Sequence, residues 1–278
     1  AGIKPISGSS VRVAFEEDDQ SHELLCLAKT NQGHKNLMRI ISLAHNNYNF
    51  QTPIIDFASL TELKDDIVVI SGGKDSHIFN LLKRNKTEDA EKRIDQFLKA
   101  FDDDFVLEVQ RTNRLDENEY FANLLPLSSK KGIPLIATND VLFSKEEHFD
   151  IHETKVCINT GKTLNDPNRE KLFSKEQYFK SSAEMEDLFD GFDELISNTI
   201  EISKKCNVSI HTKNYFLPEY PVPKEHDFDS FLVDLSSKRL DVYINKFDDT
   251  KTTIYLDRLK YELDQIKTMG FSSYFLIV

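Results

Sequence analysis

Short apolar runs alternate with amphipathic helical patterns along the first half of the chain. Runs such as VRVAF (11–15) and IPLIATND (133–140) are typical of strands, whereas NLMRIISLAHNN (36–47) has apolar residues at helical spacing. The other predicted strands are ELLCLAKT (23–30), DIVVISGG (66–73) and DFVLEVQ (104–110), and the other predicted helices cover residues 76–84, 87–100 and 117–132. This alternation indicates an α/β fold with a largely parallel sheet, and helical patterns dominate from Ser144 onwards.

The pattern changes at YFLPEYPVPKEHDF (215–228), where prolines lie among aromatic residues. Proline interrupts helices and favours extended backbone before it, so this segment is predicted to be an inter-domain connection packed by its aromatic rings. A strongly periodic helix follows and ends near Gly270, a plausible C-cap. Its apolar stripe consists of Leu256, Leu259, Leu263 and Ile266. The final YFLIV predicts a new strand or helix, so we expect a truncated piece of a longer protein, cut at both ends.

Composition narrows the possible functions. The chain has 278 residues and a net charge of −12, with 47 acidic against 35 basic residues. A domain that binds nucleic-acid phosphates directly usually has more basic than acidic residues. Cys26, Cys157 and Cys206 lie far apart and are odd in number, which favours reduced, buried thiols. There is no run long enough to span a bilayer and no signal peptide at the start, so we expect a soluble cytoplasmic protein without a membrane partner.

Motifs of common active sites are incomplete in this sequence. The segment ISGGKDSH (70–77) lacks the spacing of a phosphate-binding loop and is better explained as a strand-to-helix turn with glycines at positive φ. The segment CINTGKT (157–163) lacks the upstream glycine of such a loop. His148 and His152 have helical spacing but no glutamate after the first histidine, so they are expected to be exposed or capping residues. We therefore predict no catalytic residue and no metal ligand set in this chain.

Several longer stretches do carry a family resemblance. AGIKPISG, LTELKDDIVVISGG, IPLIATNDVLF, HETKVCINTGKTL, NTIEISKKCNV, YFLPEYPVP and YELDQIKTMGFSSYFLIV together resemble the C-family of bacterial replicative DNA polymerases, the α subunits of DNA polymerase III. The resemblance implies that residues 1–210 form a polymerase-and-histidinol-phosphatase (PHP) domain, a (βα)7-type barrel that is incomplete at its N-terminus. It also implies that residues 211–278 form a mainly helical connection and the start of a palm domain.

The resemblance further implies a vestigial metal pocket. In metal-binding members of this family the segment matching ATNDVLF usually carries Asp-x-His, and here Asp140 is kept while Leu142 takes the histidine position. An acid usually follows the glycine near the first strand, where this chain has Ser10. Glu108 is kept, but Thr112 stands where a histidine is often found. A multinuclear site needs several carboxylates and imidazoles, so we expect no metal to bind well. Asp140 has a simpler alternative role, that of capping a loop amide.

The function implied by the resemblance belongs to the full-length protein. That protein would be a DNA-directed DNA polymerase, which extends primed DNA in chromosome replication with two Mg²⁺ ions held by palm aspartates downstream of this sequence. This fragment would hold the palm and dock a proofreading exonuclease subunit, with other replicase subunits as further partners. The alternative is a metal-dependent PHP-family phosphoesterase, against which Ser10, Thr112 and Leu142 argue.

Overall fold

The computed structural model describes residues 2–16, 20–46, 52–74, 76–210, 218–244 and 249–278, which divide into two compact units, Ala1–Ile210 and His211–Val278. The strands of the first unit are β1 (Gly8–Ala14), β2 (Ser21–Ala28), β3 (Ile54–Asp56), β4 (Ile67–Ile70), β5 (Phe105–Gln110) and β6 (Leu135–Thr138). Its helices are α1 (Asn31–Asn46), α2 (Phe57–Glu62), α3 (His77–Lys83), α4 (Thr87–Phe101), α5 (Glu117–Lys131), α6 (Phe149–Thr160), α7 (Ser182–Leu188) and α8 (Asp193–Lys205).

The described strands form one sheet in the order β3-β1-β2-β4-β5-β6. Strand β2 is antiparallel to both of its neighbours, and the other strand pairs are parallel. The exception has a simple cause, because residues 15–20 are too few for the crossover that a parallel pair needs. The predicted α/β class is therefore confirmed, but the sheet is mixed rather than largely parallel, since two of its five strand pairs are antiparallel. The described strands form an incomplete version of the expected (βα)7-type barrel.

Strand β3 and helix α2 were not predicted from the sequence. The strand has only three residues, Ile54–Asp56, which is too short for a detectable alternation. Helix α2 starts directly after it because the Asp56 carboxylate accepts a hydrogen bond from the Ser59 amide at 2.7 Å. Burial acts to raise the pKa of Asp56 and is the largest single influence. Hydrogen bonds from the Ser59 amide and hydroxyl, with smaller backbone contributions, outweigh it, so the pKa is lowered overall.

The sheet buries apolar residues on both faces. The larger cluster packs the sheet against α1, α3, α4 and α5 and includes Leu24 and Cys26 of β2. The smaller cluster, on the other face, contains Ile70, Val106 and Ile136 beneath Ile202 of α8. Because side chains alternate along a strand, Leu25 and Leu27 of β2 pack against this second cluster. All three cysteines are buried and carry free thiols, as predicted.

The second unit contains helices α9 (Phe228–Ile244), α10 (Asp249–Thr268) and α11 (Ser272–Ile277). Residues 215–217 of the proline-rich connection lie outside the described residues. In its remainder, the rings of Tyr220 and His226 lie 6.2 Å and 5.7 Å from the ring of Phe231 in α9. Gly270 follows α10 with φ +72°, as expected for a C-cap.

The predicted stripe of α10 is only partly buried. Leu259, Leu263 and Ile266 are half-buried, whereas Leu256 is 46% exposed, so the stripe was predicted one residue too long. The terminal apolar run forms α11, one of its two predicted forms. No helix within the described ranges combines the length and apolar character needed to cross a membrane. The assignment of this unit to the start of a palm domain stays a prediction.

Candidate functional site: a cavity at the carboxyl edge of the sheet

A cavity of about 370 Å³ lies where strands β4, β5 and β6 end, on the sheet face that carries Leu25. Four of the five residues singled out from the sequence line it, namely Ser10, Glu108, Asp140 and Leu142. Thr112 is not among the described lining residues, because it is fully buried behind the cavity. Ser10 is exposed at the rim, so it offers only a hydroxyl there.

The turn after β4 shapes one wall of the cavity. Gly72 has φ +80°, and a Cβ at this position would lie 2.6 Å from the carbonyl oxygen of Glu23. Gly73 has no positive φ, but a Cβ there would lie 2.3 Å from the Gln110 side chain. The prediction of positive φ is thus correct for Gly72 and wrong for Gly73, where glycine instead permits close approach.

Glu108 is buried at the floor of the cavity. Its Oε1 accepts hydrogen bonds from the Thr138 hydroxyl and, at 3.0 Å, from the Gln110 amide. Burial raises the pKa of Glu108, and the charges of Asp140 and Glu23 act in the same direction. Burial therefore opposes the ionised state in which carboxylates bind metals.

Arg114 supplies a positive charge inside the site, which the sequence analysis missed. Its side chain is only 9% exposed, and its Nη1 lies 3.1 Å from Asp140 Oδ2. Its Nη2 donates to Gln110 Oε1 at 2.7 Å, and its Nε contacts Glu117 Oε1 at 3.1 Å. The planar guanidinium thus joins the loop after β5 to the loop after β6 through several fixed hydrogen bonds.

Thr112 belongs to the support of Arg114. Its hydroxyl donates to Glu117 Oε1 at 2.6 Å, and its amide donates to Glu117 Oε2 at 2.7 Å. The Thr112 oxygen also accepts a hydrogen bond from Arg114 Nε at 2.8 Å. At the expected position of a histidine ligand, the chain therefore has a threonine that orients a buried Arg–Glu pair.

Asp140 and Leu142 lie beyond the end of β6, which stops at Thr138. The strand predicted over residues 133–140 was therefore two residues too long at this end, although both side chains line the cavity. The Asp140 carboxylate accepts from Gln177 Nε2 at 2.9 Å, a side-chain amide rather than the backbone amide expected for a loop cap. Leu142 is 38% exposed, so its side chain is only partly packed against its neighbours.

A second loop, residues 174–179, is docked against residues 139–143. Gln177 is completely buried, and its carbonyl accepts a hydrogen bond from the Leu142 amide at 2.9 Å. Asn139 donates to the Tyr178 carbonyl at 2.6 Å, and Phe179 donates to the Phe143 carbonyl at 3.0 Å. These bonds hold Gln177 in place beside Asp140, whose Oδ2 contacts both Gln177 and Arg114.

The residues of the cavity do not fit the metal ions that the PHP family implies. The described lining offers the carboxylates of Glu23, Glu108 and Asp140 but no imidazole or thiolate. Within the described part of the chain, there is no group of three or more His, Cys, Asp or Glu side chains arranged to hold a metal. Asp140 already pairs with Arg114, and a cation placed beside that guanidinium would be repelled.

The two histidines at helical spacing do not contribute to the cavity. His148 is half-buried, and its Nδ1 lies 3.0 Å from the Ser144 hydroxyl. His152 is also half-buried, with its ring centroid 4.8 Å from that of Phe173. They were expected to be exposed or capping residues, but neither is exposed and His148 makes no side-chain cap hydrogen bond to α6.

Comparisons with known proteins show what the first unit is similar to. Residues 1–112 match the model of the PHP domain. This match agrees with the α/β fold of the first unit.

The whole chain is in turn related to the α subunits of bacterial DNA polymerase III. It is 38% identical over 287 aligned residues to DNA polymerase III subunit alpha of Pseudomonas aeruginosa, with 100% of this chain and 24% of that protein covered. The same protein of Vibrio cholerae is 39% identical over 285 residues, with 100% and 24% covered. That of Escherichia coli K12 is 37% identical over 287 residues, with 100% and 25% covered. The chain thus spans about a quarter of the length of these curated relatives.

Proposed function

We propose that the chain is part of a bacterial replicative DNA polymerase III α subunit that acts in the cytoplasm. The identity of 38% along the whole chain to such a subunit carries this proposal. The full-length protein would add nucleotides to the 3′ end of primed DNA, with two Mg²⁺ ions bound by aspartates outside this sequence. The described part would then be a scaffold without its own polymerase active site, and residues 211–278 would lead into the palm.

The PHP domain would serve this scaffold as a structural element rather than as a hydrolase. The support is the Arg114–Asp140 pair, which places a guanidinium where family resemblance implies metal ions. Metal-assisted hydrolysis of a phosphate ester needs a metal to polarise the ester and to activate water. The cavity residues do not fit such a metal, so the phosphoesterase alternative has less support.

A polymerase whose PHP domain does not hydrolyse DNA would need its 3′-end editing from another chain. We therefore include the docking of a separate proofreading exonuclease subunit in the proposal. Other replicase subunits and primed DNA would be partners of the full-length protein.

Two experiments test these roles separately. Primer extension with primed template, dNTPs and Mg²⁺ should be absent for the 278-residue chain and present for the full-length protein; extension by the chain alone would refute its role as a scaffold. Size-exclusion chromatography of the chain mixed with the exonuclease subunit from the same organism should give a co-eluting complex. Separate elution of two folded proteins would refute docking by this region but leave the polymerase assignment in place.

A further inference from the structure

A second cavity, of about 410 Å³, lies on the outer side of the first unit between the start of β2 and helices α3 and α4. It is lined by His22, which points to the sheet face opposite Leu25 because adjacent strand residues alternate. The cavity is thus separated by the sheet from the one that contains Arg114. It has no role in the function proposed above.

The lining of this outer cavity is strongly basic for an acidic protein. Arg84, Lys86, Lys92 and Arg93 line it. Among the described lining residues, Asp89 is the only acidic one, and its Oδ1 lies 3.5 Å from Lys92 Nζ. The chain as a whole has a net charge of −12, whereas the described lining of this cavity has four basic residues and one acidic residue. Such a basic lining can bind an anion, since distant surface charges are screened beyond about 8 Å at physiological salt.

Arg93 gives the cavity a rigid cationic wall. Arg93 is buried, with 7% of the residue exposed. Its guanidinium carbon lies 3.8 Å from the centroid of the Phe15 ring. Its Nη1 donates to Gln96 Oε1 at 2.7 Å. Stacking and hydrogen bonding hold the guanidinium in one orientation, which lowers the entropic cost of binding a ligand with several oxygens.

Two buried imidazoles complete the wall beside Arg93. The rings of His22 and His77 are stacked, with centroids 4.2 Å apart and planes 4° from parallel. Lys86 and Lys92 stand exposed at the rim, where flexible ammonium groups can follow ligands of different size.

We propose that this outer cavity binds a phosphate group, either of a small phosphorylated molecule or of a nucleic-acid backbone. Arg84, Lys86 and Lys92, which are exposed, would contact the phosphate oxygens from the rim, and Arg93 would add its positive charge from the wall. Guanidinium and ammonium groups are the usual protein partners of phosphate. The chemistry is shared by both sources of phosphate, which the experiment below distinguishes.

The test is a calorimetric titration of the 278-residue chain with sodium phosphate, with pyrophosphate and with a single-stranded oligonucleotide, all at constant ionic strength set by chloride. Saturable binding by at least one of these ligands is expected. Binding of phosphate or pyrophosphate would assign a small phosphorylated ligand, and binding of the oligonucleotide alone would assign a nucleic-acid backbone. No saturable binding by any of the three would overturn the proposal.

Charge-reversal variants show whether binding occurs at this cavity. The Lys86→Glu/Lys92→Glu variant changes only exposed residues, and its affinity should fall by at least about tenfold, since a charge-assisted hydrogen bond contributes this much or more. Lys155→Glu/Lys171→Glu makes the same change in net charge at exposed positions outside the cavity and should bind like the wild type. Equal losses in both variants would show a nonspecific effect of net charge and would refute the site.

Discussion

Arg114 and Asp140 form an ion pair across the mouth of the cavity, with Nη1 3.1 Å from Oδ2. Arg114 follows strand β5 and Asp140 follows strand β6, so the pair joins two adjacent strand ends. In PHP domains that bind metals, resemblance implies that this edge carries ligands for metal ions. In this chain a guanidinium supplies a positive charge at this edge, and it connects the loops that follow the two strands.

Removal of Arg114 should destabilise the first unit. Arg114→Leu leaves Glu117, which is 5% exposed, without its cationic partner. Breaking a buried ion pair in this way costs about 3–5 kcal/mol in the free energy of unfolding. We expect a loss of this size in urea denaturation, and a smaller loss for Arg114→Lys, which keeps the charge but not the planar fork.

An exposed ion pair of the same unit provides the control for this experiment. Lys204 Nζ lies 2.7 Å from Glu201 Oε1, but the two side chains are 67% and 64% exposed. Lys204→Leu should cost less than about 1 kcal/mol. If Arg114→Leu were as mild as this control, the guanidinium would not be a structural replacement for a metal.

The stability of the protein should depend on pH through Glu108. Its pKa is raised by burial, so the folded state holds this proton more tightly than the unfolded state does. The stabilisation that comes from this raised pKa is fully present below the pKa of Glu108 in the unfolded state. It is lost as the pH rises through the higher pKa of Glu108 in the folded state. Glu108→Gln removes this dependence, and its stability relative to the wild type should increase as the pH is raised from about 4 to about 8.

Glu184 provides a control of opposite sign. Hydrogen bonds from the Ser181 amide and from the Tyr178 and Ser181 hydroxyls lower its pKa to about 2. The stabilisation that comes from this lowered pKa is therefore present above the pKa of Glu184 in the unfolded state. It is lost as the pH falls through the lower pKa of Glu184 in the folded state. Glu184→Gln should be less stable than the wild type at neutral pH, with the difference shrinking in acid. Thermal unfolding at a series of pH values measures both variants, and parallel profiles for the two would contradict the assignment of opposite shifts.

The turn after β4 should tolerate no side chain at Gly72. Alanine there combines a φ of +80° with a Cβ 2.6 Å from the Glu23 backbone carbonyl, which cannot move away as a flexible side chain can. Gly132→Ala is the matched control, since its φ is +67° but nothing lies within 4 Å of the added Cβ. We expect about 1–2 kcal/mol of strain for the control and a clearly larger loss for Gly72→Ala in urea denaturation. Equal losses would show that backbone conformation alone decides the outcome.

The sequence predicted the elements with a clear periodicity much better than it predicted the polar contacts of the site. Helix α4 was expected at residues 87–100 and spans Thr87–Phe101, because its amphipathic pattern and early acids are local signals. The family resemblance selected Glu108, Asp140 and Leu142, which do meet at one cavity.

The partners of Asp140 had no comparable signal. Gln177 is separated from it by 37 residues and reaches it only through the docking of a loop without regular structure. Arg114 was closer to detection, because it lies two residues after the singled-out Thr112 and three before Glu117. An arginine among acids in a loop is usually solvated, however, and only the fold shows that this one is buried.

A single histidine at position 142 should not restore a metal site. The imidazole would enter the cavity beside Asp140, but that carboxylate is already bonded to Arg114 and Gln177, and burial raises the pKa of Glu108. Zinc needs at least three firm ligands, which this set does not provide. Because Leu142 is 38% exposed, Leu142→His should cost less than the roughly 1.5–3 kcal/mol of a fully buried leucine.

Thermal unfolding of Leu142→His with and without micromolar Zn²⁺ or Mn²⁺ measures this directly, and no metal-dependent shift is expected. Val141→His is the matched control, since Val141 is 46% exposed and is not among the described lining residues of the cavity. Stabilisation of Leu142→His by several degrees, without the same effect in Val141→His, would mean that Arg114 yields to a cation and that the site is one residue from metal binding. Stabilisation of the wild type by metal would instead favour the phosphoesterase alternative, because the cavity would then hold a metal despite its arginine.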